Sequence, residues 1–433
     1  MDQYDTSTAL LDFIDRSPSV FHAIDNLKTE LDAAGFQELK ENGQWVLQHG
    51  KGYYVTRNDS SLLAFTIPER ELKFMHLTAA HSDSPCFKVK PNCEILVERQ
   101  YVKLNTERYG GMLMAPWLDR PLSVAGRAVV RRGNQLKRVL VHIDRDLLLI
   151  PNLAIHMNRN ANDNQNWNAQ VDMLPLYGGA DSLETFSIEI ANAAGVSEED
   201  LIDYDLFLYN RMPGRIWGAQ NEFISSRALD DLQCAYALMK GFLLAEDSEM
   251  KKYSLAMCCI FDNEETGSLS AQGADSTFLT DVLERIRETM DITTGQWKRA
   301  IADGFMVSAD NAHAVHPNHL EAADPTNRPY LNQGIVIKYH ANQKYTTDAV
   351  SAAMFRTICE EAGVPVQTFT NRSDKAGGST LGNISNAHLS IRSVDIGLPQ
   401  LAMHSPYETA GADDTEYLVR AIRKFYERHV VIH

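Results

Sequence analysis

The chain has 433 residues, of which 44% are hydrophobic and 23% charged, and its formal net charge is −16. This length exceeds one typical hydrophobic core, so two domains of an ordinary globular protein are expected. The negative charge disfavours nucleic-acid or anionic-membrane partners, because its field repels phosphate. The sequence contains no run of about 18 apolar residues, so no membrane span is predicted.

The first third of the chain opens with helical periodicity and continues with short strands. Residues 1–6 lack the basic residues and the apolar stretch of a signal peptide, so none is expected. Residues 7–36 have apolar side chains at helical spacing, which predicts a helix capped by Thr6 or Ser7. Strands are predicted at residues 52–56 and 61–66.

Four mostly apolar segments share one arrangement, in which a predicted buried strand ends in polar residues. The segments are 72–80, 253–261, 305–309 and 398–403, and the groups that follow them include His81, Glu264 with Glu265, Asp310 and His404. Helical stretches such as residues 232–244 and 350–362 lie between them, which indicates an α/β sheet. Functional groups of such sheets lie beyond the carboxyl ends of the strands, where these polar residues fall.

The middle of the chain has a different character. Residues 125–132 are rich in valine and arginine and predict a strand, and residues 158–166 form an asparagine-rich patch typical of a surface loop. We therefore expect a β-rich second domain at residues 91–223, inserted into a catalytic domain made of residues 1–90 and 224–433.

The six cysteines form no Cys-x-x-Cys pair and mostly occupy apolar contexts. Buried free thiols in a reducing compartment are the simplest interpretation, so a cytoplasmic protein is expected.

Five residues are candidate metal ligands: His81, Asp230, Glu265, Asp310 and His404. Imidazole and carboxylate groups together suit zinc, manganese or cobalt. Two metal ions about 3.5–4 Å apart need a shared carboxylate, and we choose Asp230 for this bridge. Asp230 at the start of a helix could instead be a simple N-cap, and His404 could be an ordinary core histidine.

Glu264 and Glu265 are adjacent carboxylates that follow a buried strand. They repel each other unless cations or protons compensate, so one could bind metal while the other moves a proton for the attacking water. The alternative is a solvated acidic turn. Asp83 in His81-Ser-Asp83 could orient the imidazole of His81, although a surface turn also explains this motif.

Other polar motifs are less specific. His313 and His316 could be ligands, but loop positions are favoured for both. The glycine-rich residues 371–382 lack the ending of a P-loop, so a close backbone approach near a substrate is favoured over a phosphate cradle.

Five motifs in order along the chain resemble the M18 family of metallo-aminopeptidases, the aspartyl aminopeptidases. They are Ala-His-Ser-Asp-Ser-Pro-Cys at 80–86, Ile-Pro-Asn-Leu-Ala-Ile-His at 150–156, Asp-Asn-Glu-Glu-Thr-Gly-Ser at 262–268, Ser-Ala-Asp-Asn-Ala-His-Ala-Val-His-Pro-Asn at 308–318 and Gln-Leu-Ala-Met-His-Ser at 400–405. The resemblance implies a mixed-sheet α/β catalytic domain with an inserted β-rich domain, peptide substrates with a free N-terminus, and assembly into a dodecamer.

The resemblance also implies a role for each site residue. His81, Asp230 and Asp310 would hold one divalent metal ion, zinc first, and Asp230, Glu265 and His404 would hold a second. Glu264 would be the general base and acid, and Asp83 would be the partner of His81.

Two further residues enter through the resemblance alone. His156 would come from the inserted domain, reach the active site of a neighbouring subunit and stabilise the reaction intermediate there, with metal ligation as a minor alternative. Lys338 would pair with an acidic substrate side chain, the alternative being a strand-end lysine that faces solvent.

Three segments depart from the family pattern. Asp231 replaces a frequent asparagine, residues 373–378 replace a Pro-Cys-Gly turn, and Ser-Pro-Tyr-Glu follows His404 where an arginine is common. An acidic preference is therefore expected without strict aspartyl specificity. A related two-metal dipeptidase or deacylase is the alternative enzyme. A metal-stabilised assembly protein is disfavoured, because a structural site needs no second glutamate beside the ligand.

Overall fold

The central sheet supplies the framework of the molecule. The computed structural model describes residues 3–163, 165–245, 249–375, 377–378 and 388–432. Across the central sheet, the strands in these residues are β1 (Gln37–Leu39), β2 (Gly52–Arg57), β3 (Ser61–Thr66), β13 (Ser254–Phe261), β4 (Phe74–His81), β14 (Phe305–Ala309), β18 (Arg392–Gly397), β16 (Ile335–Tyr339) and β17 (Val366–Thr370). Parallel and antiparallel neighbours both occur, which makes this a mixed sheet.

Two further sheets complete the β structure of the described residues. The second sheet has the order β8 (Gln135–His142), β7 (Leu122–Arg132), β10 (Leu201–Asn210), β5 (Cys86–Val97), β6 (Tyr101–Tyr109) and β9 (Leu176–Gly179). The third has the order β11 (Arg215–Trp217), β12 (Phe223–Ser226), β20 (Glu408–Gly411), β19 (Pro399–Leu401) and β15 (Ala312–His313).

Helices cover both faces of the central sheet. One core contains side chains of α1 (Gln3–Asp15), α2 (Val20–Ala33), α4 (Leu229–Leu244), α7 (Ala349–Ala362) and α8 (Asp414–Glu427). The other core contains side chains of α5 (Phe278–Thr289) and α6 (Thr294–Ala302), whereas α3 (Phe186–Ala194) packs in the core of the second sheet. The predicted α/β class is therefore confirmed, with a helix–sheet–helix layering.

Strand β13 shows why the apolar runs become central strands. All eight of its residues are buried. Alternate side chains point to opposite faces of a strand, so Cys258 and Ile260 enter one core while Cys259 and Phe261 enter the other. Burial of each large apolar side chain contributes about 1.5–3 kcal/mol, which favours a position between two helical layers.

The prediction of a single helix at residues 7–36 was wrong, since α1 ends at Asp15 and α2 begins at Val20. The break contains Pro18, which lacks the backbone N–H and disfavours a helical conformation in the residue before it. Thr6 and Ser7 do not cap the helix. They lie inside α1, where the Thr6 hydroxyl donates to Glu416 and the Ser7 hydroxyl to the carbonyl of Ala412.

The prediction for residues 398–403 was wrong in part. The strand there, β19, is short and belongs to the third sheet, while β18 joins the central sheet between β14 and β16. The strand β18 was not predicted from the sequence, because the polar residues Ser393 and Asp395 interrupt its apolar residues. Asp395 is buried and accepts hydrogen bonds from the backbone N–H and hydroxyl of Thr346, at 2.5 and 2.8 Å.

Three smaller predictions also have outcomes. The six cysteines are free, and five of them are buried, as expected. Around the asparagine-rich patch, most of the described residues from 158 to 166 are exposed; residue 164 lies outside the described part. Among the described helices, none has the length and apolar character needed to cross a membrane.

Candidate metal centre

Three neighbouring strands bring the first polar groups together. Strands β13 and β14 flank β4, and both pair with it in parallel. The carboxyl ends of parallel strands lie at the same edge of a sheet, so His81 at the end of β4 meets the residues that follow β13 and β14. These are Glu264 and Glu265, in a short 3-10 turn, and Asp310, the residue after β14.

Asp230 lies between two histidines. Its Oδ1 is 3.4 Å from Nε2 of His81, and its Oδ2 is 3.4 Å from Nε2 of His404. Asp230 and Asp231 have non-helical backbone angles and are joined by a cis peptide bond. Oδ1 of Asp230 accepts no hydrogen bond among the described residues, so this oxygen does not cap the helix. A carboxylate that turns one oxygen to each imidazole has the arrangement required of a bridge between two ions.

The remaining distances fit metal coordination. His404 Nε2 lies 3.2 Å from Glu265 Oε1, and His81 Nε2 lies 3.8 Å from Asp310 Oδ1. Zinc binds nitrogen and oxygen ligands at about 2.0–2.1 Å in a tetrahedral arrangement, so two of its ligands lie about 3.4 Å apart. Both donor sets, one around His81 and one around His404, therefore have the spacing of ligands that share an ion.

Unpaired polar atoms and crowded carboxylates also suit cations. His81 Nε2 and Asp230 Oδ1 are buried and have no hydrogen-bond partner among the described residues. Burial, with the nearby charge of Asp230, raises the pKa of the Glu265 carboxyl to about 7. Burial raises the pKa of Glu264 well above its usual value, and the charges of Asp310 and Glu265 add to this. Bound cations relieve such crowding, so these residues fit divalent metal ions.

Asp83 connects the two halves of the site. One of its oxygens lies 3.3 Å from Nδ1 of His81 and accepts a hydrogen bond from the backbone N–H of Glu264 at 3.2 Å. Its other oxygen accepts from the backbone N–H of Glu265, also at 3.2 Å. A single buried carboxylate therefore orients the imidazole and holds the turn that carries both glutamates.

Glu408, at the start of β20, was missed by the sequence analysis. Its buried carboxylate accepts from the backbone N–H of Asp230 at 3.0 Å and of His404 at 2.7 Å. His404 has a left-handed φ of 65°, which is uncommon for histidine, and the bond from its N–H to Glu408 holds this conformation. Nothing in the local sequence marks Glu408, because its partners are backbone atoms of distant segments.

Asp231, noted in the sequence only as a departure from the family pattern, lies at the same site. Its Oδ2 accepts a hydrogen bond from the backbone N–H of His81 at 3.2 Å. Burial raises the pKa of this carboxyl well above its usual value, and the charges of Asp310 and Asp230 add to the effect. Asp231 therefore supports the strand end that carries His81.

Lys338 on β16 is only 3% exposed, so it does not face solvent. Its ammonium lies 3.4 Å from Asp310 Oδ2 and donates to the carbonyl of Asn311 at 2.8 Å. Burial acts to lower the pKa of Lys338, but the Asp310 carboxylate outweighs it and the pKa lies above its usual value. The lysine therefore adds a fixed positive charge beside a candidate ligand.

The other predicted residues lie outside the two donor sets. His313 packs against the ring of Phe369 and lies in β15, so its predicted loop position was wrong. His316 packs against His319 and lies in a loop, as predicted. His156 is exposed, between the exposed apolar side chains of Ile155 (50%) and Met157 (75%). In the glycine-rich turn, residues 376 and 379–382 lie outside the described part of the chain, so neither interpretation of the turn is tested.

Comparisons with known proteins agree with this geometry. Residues 13–426 match the family model described as aminopeptidase I zinc metalloprotease (M18). A probable M18 family aminopeptidase 2 of Clostridium novyi (strain NT) is 48% identical over 425 residues, which cover 96% of this chain and 97% of the relative.

Solved structures have the same fold. Chaetomium thermophilum mApe1 is 29% identical with a TM-score of 0.89, and the match covers 98% of each chain. The dodecamer of S. cerevisiae mApe1 is 26% identical with a TM-score of 0.87, over 99% of this chain and 97% of that one. Because both the family model and a close relative extend along nearly the whole sequence, the chain belongs to the M18 family of aminopeptidases.

Proposed function

We propose that this aminopeptidase uses two divalent metal ions, zinc first and manganese or cobalt as alternatives, and prefers peptides with an acidic N-terminal residue. The observation that carries the two-ion part is the position of Asp230, whose two oxygens each lie 3.4 Å from a different imidazole. One ion would use only one face of this carboxylate and would leave the second histidine without a role.

The distances support one division of the ligands between the two ions. His81, Asp230 and Asp310 would hold one ion, and Asp230, Glu265 and His404 would hold the other. When bound, the ions would lower the pKa of the attacking water and polarise the scissile carbonyl.

Glu264 is left without a ligand role in these sets and is proposed as the proton carrier. Its backbone N–H is bonded to Asp83, which holds the start of the side chain at the edge of the site. Glu264 would take the proton of the attacking water and return it to the leaving amine. A buried carboxyl suits this exchange, since desolvation makes it a stronger base than a carboxyl in water.

Lys338 is proposed to set the acidic preference. A buried ammonium is a strong partner for a substrate carboxylate, even in a protein with a net charge of −16. Its contact with Asp310 gives a second role to consider, since loss of the lysine would also leave that carboxylate without its cation.

A substrate panel tests the activity and the preference together. We expect the wild type to cleave aminoacyl amides of Asp and Glu faster than those of Leu and Ala, and not to cleave N-acylated ones. Lys338→Met should lower kcat/KM for the acidic substrates at least tenfold more than for Leu. The surface variant Lys298→Met, whose side chain is exposed, should change neither. An equal loss for all substrates would show that Lys338 serves Asp310 instead.

Assembly and domain organisation are also proposed. His156 lies in an exposed segment that contains Leu153 (53% exposed) and Ile155 (50%), and a neighbouring copy would cover these apolar side chains. The solved dodecamer of a related chain supports self-association. The second sheet, which runs from Cys86 to Asn210, supports an inserted domain near residues 91–223. A cytoplasmic location stays a prediction.

A further inference from the structure

Tyr109 is the last residue of β6, and this end of the second sheet lies beside the candidate metal centre. The next residue, Gly110, has a positive φ of 75° and passes so close to Glu265 that an added Cβ would lie 3.1 Å from its Cβ. The end of this strand therefore lies against the turn that carries Glu264 and Glu265.

The hydroxyl of Tyr109 has two strong partners. It donates to Oδ2 of Asp83 at 2.7 Å and accepts from Nδ2 of Asn263 at 2.7 Å. Asn263 immediately precedes the glutamate turn and has a left-handed φ of 61°. One hydroxyl thus links the carboxylate that orients His81 to the residue from which the turn begins.

The Asn263 side chain is itself held from the other direction. Its Oδ1 accepts from the hydroxyl of Ser270 at 2.6 Å and from Nε2 of Gln272 at 2.8 Å. These bonds fix the amide so that its N–H points to Tyr109. The tyrosine ring packs edge-on against Phe207 of β10, with ring centroids 5.7 Å apart, which limits its movement.

The Asp83 carboxylate has four partners among the described residues, which use the lone pairs of its two oxygens. It faces His81 Nδ1 and the backbone N–H groups of Glu264 and Glu265 at 3.2–3.3 Å, which are long bonds. The bond from Tyr109 is the shortest of the set, at 2.7 Å. The tyrosine therefore fixes the rotation of a carboxylate whose other contacts would tolerate movement.

We infer that Tyr109 is a positioning residue for the hydrolytic reaction, supplied by the second sheet, which acts through Asp83 on His81 and on the turn of Glu264. This inference rests on the proposed function, because it assigns the tyrosine a role in the reaction of that site. Residues that support metal ligands in this way typically change metal affinity or activity by about 10–100-fold when they are replaced.

The test is the variant Tyr109→Phe, which removes the hydroxyl and keeps the ring. At saturating metal, kcat should fall about 10–100-fold with little change in KM, and the affinity of the stripped chain for zinc, measured by competition with a chromophoric chelator, should also fall. Tyr204→Phe is the matched control, because it removes a hydroxyl from the same sheet. Among the described residues, this hydroxyl has a hydrogen-bond contact with Cys93 alone, at 3.7 Å. Tyr204→Phe should leave both quantities unchanged.

A double-mutant cycle separates positioning from general stability. If Tyr109 acts through Asp83, Tyr109→Phe should have little further effect on kcat in an Asp83→Asn background. Fully additive losses, or a lower melting temperature with unchanged kcat and zinc affinity, would overturn the inference. Wild-type activity is measured in parallel: an inactive wild type would refute the proposed function, whereas an active wild type matched by Tyr109→Phe would refute only this role.

Discussion

At the scale of single residues, the pair Glu264 and Glu265 separates into two positions. Glu265 lies 3.2 Å from His404 Nε2 and groups with Asp230 and His404, whereas Glu264 groups with His81 and Glu265 in a further set of possible ligand atoms. Asp83 holds the backbone of both residues, so the difference between them comes from the direction of their side chains. The proposed function gives the metal to Glu265 and the proton to Glu264.

The variant Glu264→Gln tests that division. It keeps the size of the side chain and removes its basicity, so kcat should fall about 10²–10⁴-fold while bound metal, by elemental analysis, stays at the wild-type level. Glu265→Gln is the matched control, and it should lose metal as well as activity. Wild-type kcat in Glu264→Gln would refute the role of Glu264.

Sequence reasoning found the candidate ligands that the structure brings together, but not the residues that hold them in place. The structure brings together His81, Asp230, Glu265, Asp310 and His404, because a histidine or carboxylate after a buried strand is visible in the sequence. Glu408 and Tyr109 were missed, since a glutamate that binds distant backbone N–H groups and a tyrosine at a strand end look like any others. Their roles depend on contacts between segments far apart in sequence.

At the scale of elements, β4 is the strand on which the site depends. It lies between β13 and β14, all eight of its residues are buried, and it ends at His81. His76 in its middle packs against the ring of Phe425 of α8, with ring centroids 4.8 Å apart. Its Nδ1 has no hydrogen-bond partner among the described residues.

His76 predicts a pH dependence of stability. Burial, with the nearby charge of His429, lowers its pKa from 6.5 to about 3. Between pH 3 and pH 6.5 the unfolded chain binds a proton at His76 and the folded chain does not. The contribution of His76 to the free energy of unfolding is therefore fully present above pH 6.5 and is lost as the pH falls. The slope contributed by one such group is at most about 1.4 kcal/mol per pH unit. Denaturant unfolding at pH 5, 6 and 7, at constant chain concentration, measures it.

Replacement of His76 should remove the part of this slope that comes from one proton, at most about 1.4 kcal/mol per pH unit. His76→Phe fills the same apolar space without a titratable group, so the free energy of unfolding should change less with pH in this variant than in the wild type. The same slope in His76→Phe as in the wild type would contradict the assignment.

Helices and strands were predicted well where one apolar pattern runs through the whole element. They were predicted poorly where contacts with distant residues determine the local structure. The apolar runs of β13 and β14 were recognised. The strand β18 was not, because its buried Asp395 is paired with Thr346, which lies 49 residues away in the sequence. The break between α1 and α2 was missed although Pro18 marks it, since apolar spacing continues on both sides.

At the scale of the whole molecule, the segment around His156 is the clearest sign of assembly. His156 is exposed and belongs to neither donor set, and the apolar neighbours Leu153, Ile155 and Met157 are 50–75% exposed. The division into domains was proposed from composition, but contacts between copies of the chain leave no periodic pattern in the sequence. Contacts between copies were predicted only from the family resemblance.

Mixed oligomers test whether His156 serves a neighbouring subunit. His156→Ala and Glu264→Gln should each be nearly inactive alone, because each lacks one component of every site. When the two chains are co-expressed, some sites combine an intact Glu264 with an intact His156 from the neighbour, so activity should exceed the sum of the separate variants. Activity equal to that sum would show that His156 does not act between subunits.

Metal titration of the chelator-stripped chain tests whether Asp230 joins two metal ions in one hydrolytic site. With zinc, manganese or cobalt added back, aminopeptidase activity should reach its maximum at two ions per chain, and Asp230→Asn should lose binding of both. Full activity at one ion per chain, or activity that persists without metal, would contradict the account.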